Sequence, residues 1–418
     1  MNGEVPLSIF LAYPLGMLDL KEALDRILAA VPAASGERVK LADAHGRVLL
    51  ERVVSRVDLP GFDNSSMDGY AVRSADARAA SAKTPVRLRV AGKIPAGRIF
   101  EGEVTAGACV RLFTGAALPG GADAVVRQED TRVDPAAPGE VLILEPVEPG
   151  EHVRRRGEDV ARGATLAEAG EEITAGRLAL LGAGGVAEVS VGRQPAIGLM
   201  ATGSELKEPG QELAAGQIYE SNRLALAGLI REAGAAPKLF PLVADTLAAT
   251  RAALEAAFSQ CDAVVTSGGV SVGEMDFIRQ AVEEAGGKLE FWRVAMKPGR
   301  PFLLARYREK LLFGLPGNPV SAFVTFLLLV RPALRRWQGA AEIDLPSHLA
   351  VLAEPIANDG PRPHFVRVRV DAAGQVHSAG MQASHALGSL AAANALVEVP
   401  PSSSLPAGST VRVLRWSR

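Results

Sequence analysis

A chain of 418 residues is too long for one ordinary core, at about 100–200 residues per domain, and with 48% hydrophobic and 22% charged residues it is too apolar to be disordered. Its 45 Lys and Arg against 47 Asp and Glu leave no bulk positive field, which excludes nucleic acid and anionic membrane as general partners; any anion must be caught locally. Cys109 and Cys261 are the only cysteines and the histidines lack ligand spacing, so a disulfide framework and zinc or iron chemistry have no support, and a cytoplasmic location is expected.

The apolar stretch 6–18 carries two prolines and neither a basic leader nor a cleavage pattern, which reads as cytosolic, with a loose extension before Met17. Helical periodicity begins at Asp19, a capping residue, with Leu20, Ala23, Leu24, Ile27 and Leu28 on one face. From about 53 to 143 the pattern changes to short alternating segments such as VRLRVAG and CVRLFTG between Gly and Pro pairs. The segments VRRRGEDVARGATL and TAGRLALLGAGGV then return to the N-terminal helix. Between about 193 and 337 strands (PAIGLMATG, KLFPLV, DAVVTSGG, EFWRVAM) alternate with helices (NRLALAGLIREAG, TLAATRAALEAAF, DFIRQAVEEAG), which implies a mainly parallel sheet covered on both faces. The run AFVTFLLLV falls short of the roughly 20 residues of a membrane span and reads as a buried helix. Short β segments after 338 suggest a small barrel or sandwich.

The expected fold class is therefore α/β and multidomain. A discontinuous N-terminal helical and mixed domain (17–52 and 150–192) surrounds an inserted β-rich domain (53–149). A central, mainly parallel α/β domain (193–337) and a small C-terminal β-barrel domain (338–418) follow.

Ligands of such sheets sit at the carboxyl ends of strands. In residues 262–276, DAVVTSGGVSVGEMD, a buried strand ends at Gly268 and Gly269, which turn amides toward an anion at a helix start. An ordinary strand-to-helix turn is the competing reading. Glu274 and Asp276 serve either the helix dipole or a hydrated Mg²⁺. Glu205 lies beyond another strand end, and Asp245 is either a helix cap or a third carboxylate of the same set. Mg²⁺ takes one or two carboxylates plus phosphate oxygens and waters, so the set suits a phosphate-bearing substrate. Lys297 and Arg300 flank a Pro-Gly turn suited to a tetrahedral oxyanion, or are merely solvated. In GLPGNPVSAF, capping explains Asn318 and Pro319 but not Pro316 and Gly317. On their own, FDNSSMDGYAV, with Asp63 and Asp68, and VRRRGEDV, with Asp159, read as salt-bridged surface loops.

Taken in order, FDNSSMDGYAV, RRRGEDV, ATGSEL, YESNRLAL, TSGGVSVGEMD, KPGRPF and GLPGNPVSA closely resemble the molybdopterin molybdenumtransferase family, MoeA and the C-terminal domain of gephyrin. The resemblance runs from about Met17 to near the C-terminus. It implies a homodimer that takes adenylylated molybdopterin and molybdate, uses Mg²⁺, cleaves the phosphoanhydride, and releases AMP with molybdenum cofactor. It also implies molybdopterin adenylyltransferase as a protein partner. Carried over by position, Glu205, Asp245 and Asp276 are the acidic metal and catalytic residues. Gly268, Gly269, Ser271, Lys297, Arg300, Pro316 and Pro319 fall at the substrate, with Arg300 where a Lys is frequent in the family. Asp68, Thr114 and Asp159 match positions that reach the cleft from the neighbouring subunit, and Arg367 and Ser384 match the pterin end. Three alternatives stay open: a gephyrin-like scaffold, a nucleotide-pyrophosphate hydrolase, and a tungstate-inserting paralogue.

Overall fold

The computed structural model describes residues 17–270 and 277–416. Six strands make the central sheet, in the order Ala236–Leu239, Ala196–Ala201, Ala263–Ser267, Lys310–Leu315, Leu303–Tyr307, Lys288–Trp292. The first four run parallel; Leu303–Tyr307 runs against them, and Lys288–Trp292, antiparallel to it, takes up their direction again. The strands Ala196–Ala201, Ala263–Ser267 and Lys310–Leu315 are near-continuous runs of buried apolar residues because both faces are covered, whereas the edge strand Ala236–Leu239 is largely exposed. Ile197, Leu199, Val265 and Phe313 pack into one core, and Met200, Val264 and Leu312 into another against Leu254 and Phe258. Each such side chain, fully buried, contributes roughly 1.5–3 kcal/mol.

Two of these strands escape the sequence patterns. Leu303–Tyr307 and Lys310–Leu315 form a hairpin through Arg308 and Glu309, and Lys310–Leu315 enters the middle of the sheet. Arg308 adopts φ 53° where Gly, Asn or Asp would normally mark such a turn, so the hairpin lacks its usual signature. The expected buried helix spans Pro319–Thr325 and Arg331–Trp337 with a π-helical segment, Phe326–Val330, between them. Pro332 explains the widening: it has no N–H for the carbonyl one turn back, and its ring would crowd that turn in a regular α-helix. Among the described residues, no helix is long and apolar enough to cross a membrane.

The helix Leu20–Ala30 begins at Asp19, whose carboxylate accepts the Glu22 N–H at 2.7 Å, and it buries Ala23 and Ile27 in the core beside the Pro319–Trp337 run. The chain then leaves and returns: Gly36–Lys40 pairs antiparallel with Glu188–Gly192, and Val53–Val54 with Thr165–Ala167. In the intervening stretch lies a six-stranded sheet in the order Ala124–Arg127, Gly69–Val72, Ala108–Leu112, Val86–Ile94, Glu140–Ile143, Thr131–Val133. At the C-terminal end, Ser347–Leu352, Gln375–Ser378, His364–Val370, Ala395–Val399 and Thr410–Arg415 close into a five-stranded barrel. The barrel is joined to the central domain at Lys297, whose N–H donates to Pro363 O at 2.9 Å and whose carbonyl accepts the Phe365 N–H at 2.7 Å.

Both cysteines are free and buried, and burial pushes the Cys109 thiol up to about 12, so it is an inert core residue.

Candidate active-site cleft

A cavity of about 740 Å³ opens at the carboxyl ends of the strands Ala196–Ala201, Ala263–Ser267 and Lys310–Leu315. Its floor includes Gly268 and Gly269, at φ 90° and 71°. A Cβ at Gly268 would stand 2.8 Å from Thr202 O, and one at Gly269 2.7 Å from Ile278 Cγ1. Packing therefore demands both glycines, and the same turn opens onto the cavity. The Thr202 hydroxyl beside them is buried and has no hydrogen-bond partner among the described residues.

Glu205 and Asp245 both line this cleft. The N–H of Ser204 donates to Asp245 Oδ2 at 2.8 Å, and the Asp245 N–H donates back to Ser204 Oγ at 3.2 Å. The cap of the helix Leu247–Gln260 is Thr246, whose hydroxyl accepts the Ala249 N–H at 3.2 Å. That settles one ambiguity: Asp245 is not the cap. The Glu205 carboxylate has no hydrogen bond or ion pair among the described residues. Asp276 and Ser271, the other predicted residues of the glycine loop, lie outside the described residues.

The proline loop lines the cleft beside the glycine turn through Pro316, Gly317, Asn318 and Pro319. Asn318 occupies the N-cap position of its helix without a capping hydrogen bond, so its side chain is not spent on the helix. Asn222 holds the loop: its amide donates to Ser267 Oγ and to Gly317 O, each at 2.7 Å. Beneath it Arg223, 3% exposed, bonds Glu220 Oε2 at 3.1 Å, Glu208 Oε1 at 2.6 Å and the carbonyl of Phe240. YESNRLAL is thus a structural brace whose residues reach the cleft. Its assignment from sequence required knowing that Asn222 faces two loops distant in the chain.

A second cavity, of about 570 Å³, abuts the first; Pro301 and Ser321 line both. It is basic, with Lys297, Arg300 and Arg362 around it and Ser384 at its edge. The Lys297 and Arg300 side chains make no hydrogen bond or ion pair among the described residues, while Arg362 Nη1 donates to Met296 O at 2.8 Å. A lysine, two forked guanidiniums and hydroxyls in one cavity suit a small oxyanion.

Arg367 departs from its expected place. It is fully buried and lines neither cavity. Its Nη2 donates to Met381 O at 2.7 Å and Ala383 O at 3.1 Å, and its Nε to Ser389 Oγ at 3.1 Å. It clamps the loop that carries Ser384 rather than facing solvent.

The structure does not bring Asp68, Thr114 or Asp159 to either cavity; every lining residue lies at position 201 or beyond. Asp68 and Thr114 do meet each other. The Thr114 N–H and hydroxyl donate to Asp68 Oδ1 at 2.8 and 2.9 Å, which holds the carboxyl below its ordinary range. Around them the salt-bridged reading holds: Arg155 pairs with Asp63 at 2.9 Å and Arg156 with Asp58 at 2.6 Å.

Residues 18–185 match the MoeA N-terminal region (domain I and II), 199–336 a probable molybdopterin binding domain, and 349–416 the MoeA C-terminal region (domain IV). The chain is 36% identical over 404 residues to the molybdopterin molybdenumtransferase of Haemophilus influenzae, covering 95% of this chain and 98% of that one. It belongs to the MoeA family. Molybdopterin molybdenumtransferase 2 of Mycobacterium tuberculosis is 41% identical over 370 residues, 87% of this chain and 90% of its own. A molybdopterin biosynthesis MoeA protein of Pyrococcus horikoshii has the same overall structure, with a TM-score of 0.80 at 32% identity over 96% of this chain and all of that one. The MoeA likeness therefore covers the regions that carry both cavities, together with the region that holds Asp68 and Thr114.

Proposed function

We propose that this protein acts in molybdenum cofactor biosynthesis as a molybdopterin molybdenumtransferase. It inserts molybdate into adenylylated molybdopterin, with cleavage of the phosphoanhydride and release of AMP. The observation that carries this reading is the pair of abutting cavities, one lined by carboxylates over a glycine floor and one basic, with Pro301 and Ser321 in common. A phosphorylated pterin suits the first and a tetrahedral oxyanion the second.

Mg²⁺ fits the first cavity. Glu205 presents an uncommitted carboxylate, and Asp245 is a second one fixed in place by Ser204. Among the described residues no cluster of three His, Cys, Asp or Glu could hold a metal, and two carboxylates with phosphate oxygens and waters meet the needs of this ion. Bound there, Mg²⁺ would neutralise charge on phosphoryl oxygens. The protein's own part is to hold the pterin phosphate on the Gly268 and Gly269 turn and the oxyanion beside Lys297 and Arg300. No protein nucleophile is needed.

In this reading the active protein is a homodimer. Asp68, Thr114 and Asp159 line neither cavity of their own chain, which supports their delivery to the cleft of a second copy. Incubation with adenylylated molybdopterin, Mg²⁺ and either molybdate or tungstate tests the proposal by AMP release and metal incorporation. AMP release without metal incorporation would favour a hydrolase. No AMP release together with capture of a receptor-type partner would favour a scaffold.

A further inference from the structure

The first cavity has an unusual charge balance for a site that takes phosphate. Glu205, Glu220 and Asp245 line it, and His385 is the one residue among the described lining whose side chain can carry positive charge. The basic groups Lys297, Arg300 and Arg362 belong to the neighbouring cavity.

His385 comes from the C-terminal region, on the loop between the barrel strands Gln375–Ser378 and Ala395–Val399. That loop is held from two sides. Arg367 bonds the carbonyls of Met381 and Ala383 and the Ser389 hydroxyl, and Ser384 O accepts the Val320 N–H at 3.1 Å, which ties it to the helix after the proline loop. The imidazole, by contrast, is exposed and has no hydrogen-bond partner among the described residues. A braced loop thus presents an uncommitted donor to an acidic cleft.

We infer that His385 is a substrate-contacting residue of this cleft, donating an N–H to a phosphate oxygen of the adenylylated substrate and of the AMP product. The loop is the route by which the barrel takes part in nucleotide recognition. This inference rests on the proposed function, and it adds a binding residue that neither the acidic set nor the basic turn includes.

The test is AMP and adenosine binding, by calorimetry with Mg²⁺ present, to the full-length wild type, His385→Ala and His385→Gln. The expected result is roughly tenfold weaker AMP binding by His385→Ala, from loss of a hydrogen bond to a charged group. His385→Gln, which keeps an N–H donor, should recover most of the affinity, and adenosine binding should be equal in all three. AMP affinity unchanged in His385→Ala, or an equal loss for adenosine, overturns the role of His385 while leaving the functional reading intact if the wild type still releases AMP from adenylylated molybdopterin. A wild type that neither binds nor releases AMP overturns both.

Discussion

The side-chain amide of Asn222 donates to the carbonyl of Gly317 at 2.7 Å, and so fixes the proline loop to the start of the helix Asn222–Glu232. The same amide holds Ser267 at the end of the central strand, so one residue sets the distance between two walls of the cleft. Asn222→Ala should cost about 1–3 kcal/mol of stability, the worth of two typical internal hydrogen bonds. It should lower the rate of AMP release by roughly 10–100-fold through misplacement of the loop. Thermal denaturation and steady-state kinetics separate the two effects; full activity would mean that the proline loop stands without this brace.

Glu205→Gln and Asp245→Asn should raise the Mg²⁺ concentration needed for half-maximal AMP release while leaving the fold unchanged. Glu205 has no internal bond to lose, and Asn at 245 keeps an acceptor for the Ser204 N–H. Stability within about 0.5 kcal/mol of the wild type is expected, as for surface positions. Asp276→Ala should go further and abolish AMP release at every Mg²⁺ concentration without unfolding the protein. Mg²⁺ titration of each variant checks this, and an unaltered Mg²⁺ dependence would remove that carboxylate from the site.

Arg367→Met should release the loop from Met381 to Ser389. Two partly buried carbonyls and a buried hydroxyl would lose their donor, a cost of roughly 2–4 kcal/mol. Because Gln382, Ala383 and Ser384 line the basic cavity, the KM for molybdate should rise. Limited proteolysis should cut the variant within the loop; a resistant loop with an unchanged molybdate KM would contradict the clamp.

His364 should make stability sensitive to acid. It is 4% exposed, and neither ring nitrogen has a hydrogen-bond partner among the described residues. Burial, reinforced by Lys297, Arg367 and Arg362, lowers its pKa to about 4. An unfolded imidazole takes its proton near roughly 6.5, so between these values the unfolded chain binds the extra proton. Stability therefore falls as pH drops through this window. His364→Phe should flatten the dependence by up to roughly 1.4 kcal/mol per pH unit, measured by urea denaturation between pH 4 and 7.

The sequence patterns carry the alternating strands and helices of the central domain, because apolar runs bounded by glycine and proline survive in one dimension. They miss the hairpin through Arg308 and Glu309, whose turn uses a positive φ without glycine or asparagine. Glu205, Asp245 and the two glycines stand out because each follows a strand, and the sheet topology brings strand ends together. Arg367 is different. Its likeness to the family marks it as important, but only packing shows that it works from beneath a loop. Asn222 stands in a motif, YESNRLAL, that marks the family but not its role, and His385 is an isolated histidine; a helix-start asparagine and a loop histidine gain their meaning only from what lies across the cleft.

Pro301 and Ser321 form a party wall between the two cavities. In the proposed reading, molecules lodged on either side are neighbours before any bond changes, which raises the effective concentration of one toward the other above that of two molecules free in solvent. Under that arrangement, turnover at low molybdate is governed by how long the basic cavity retains its guest.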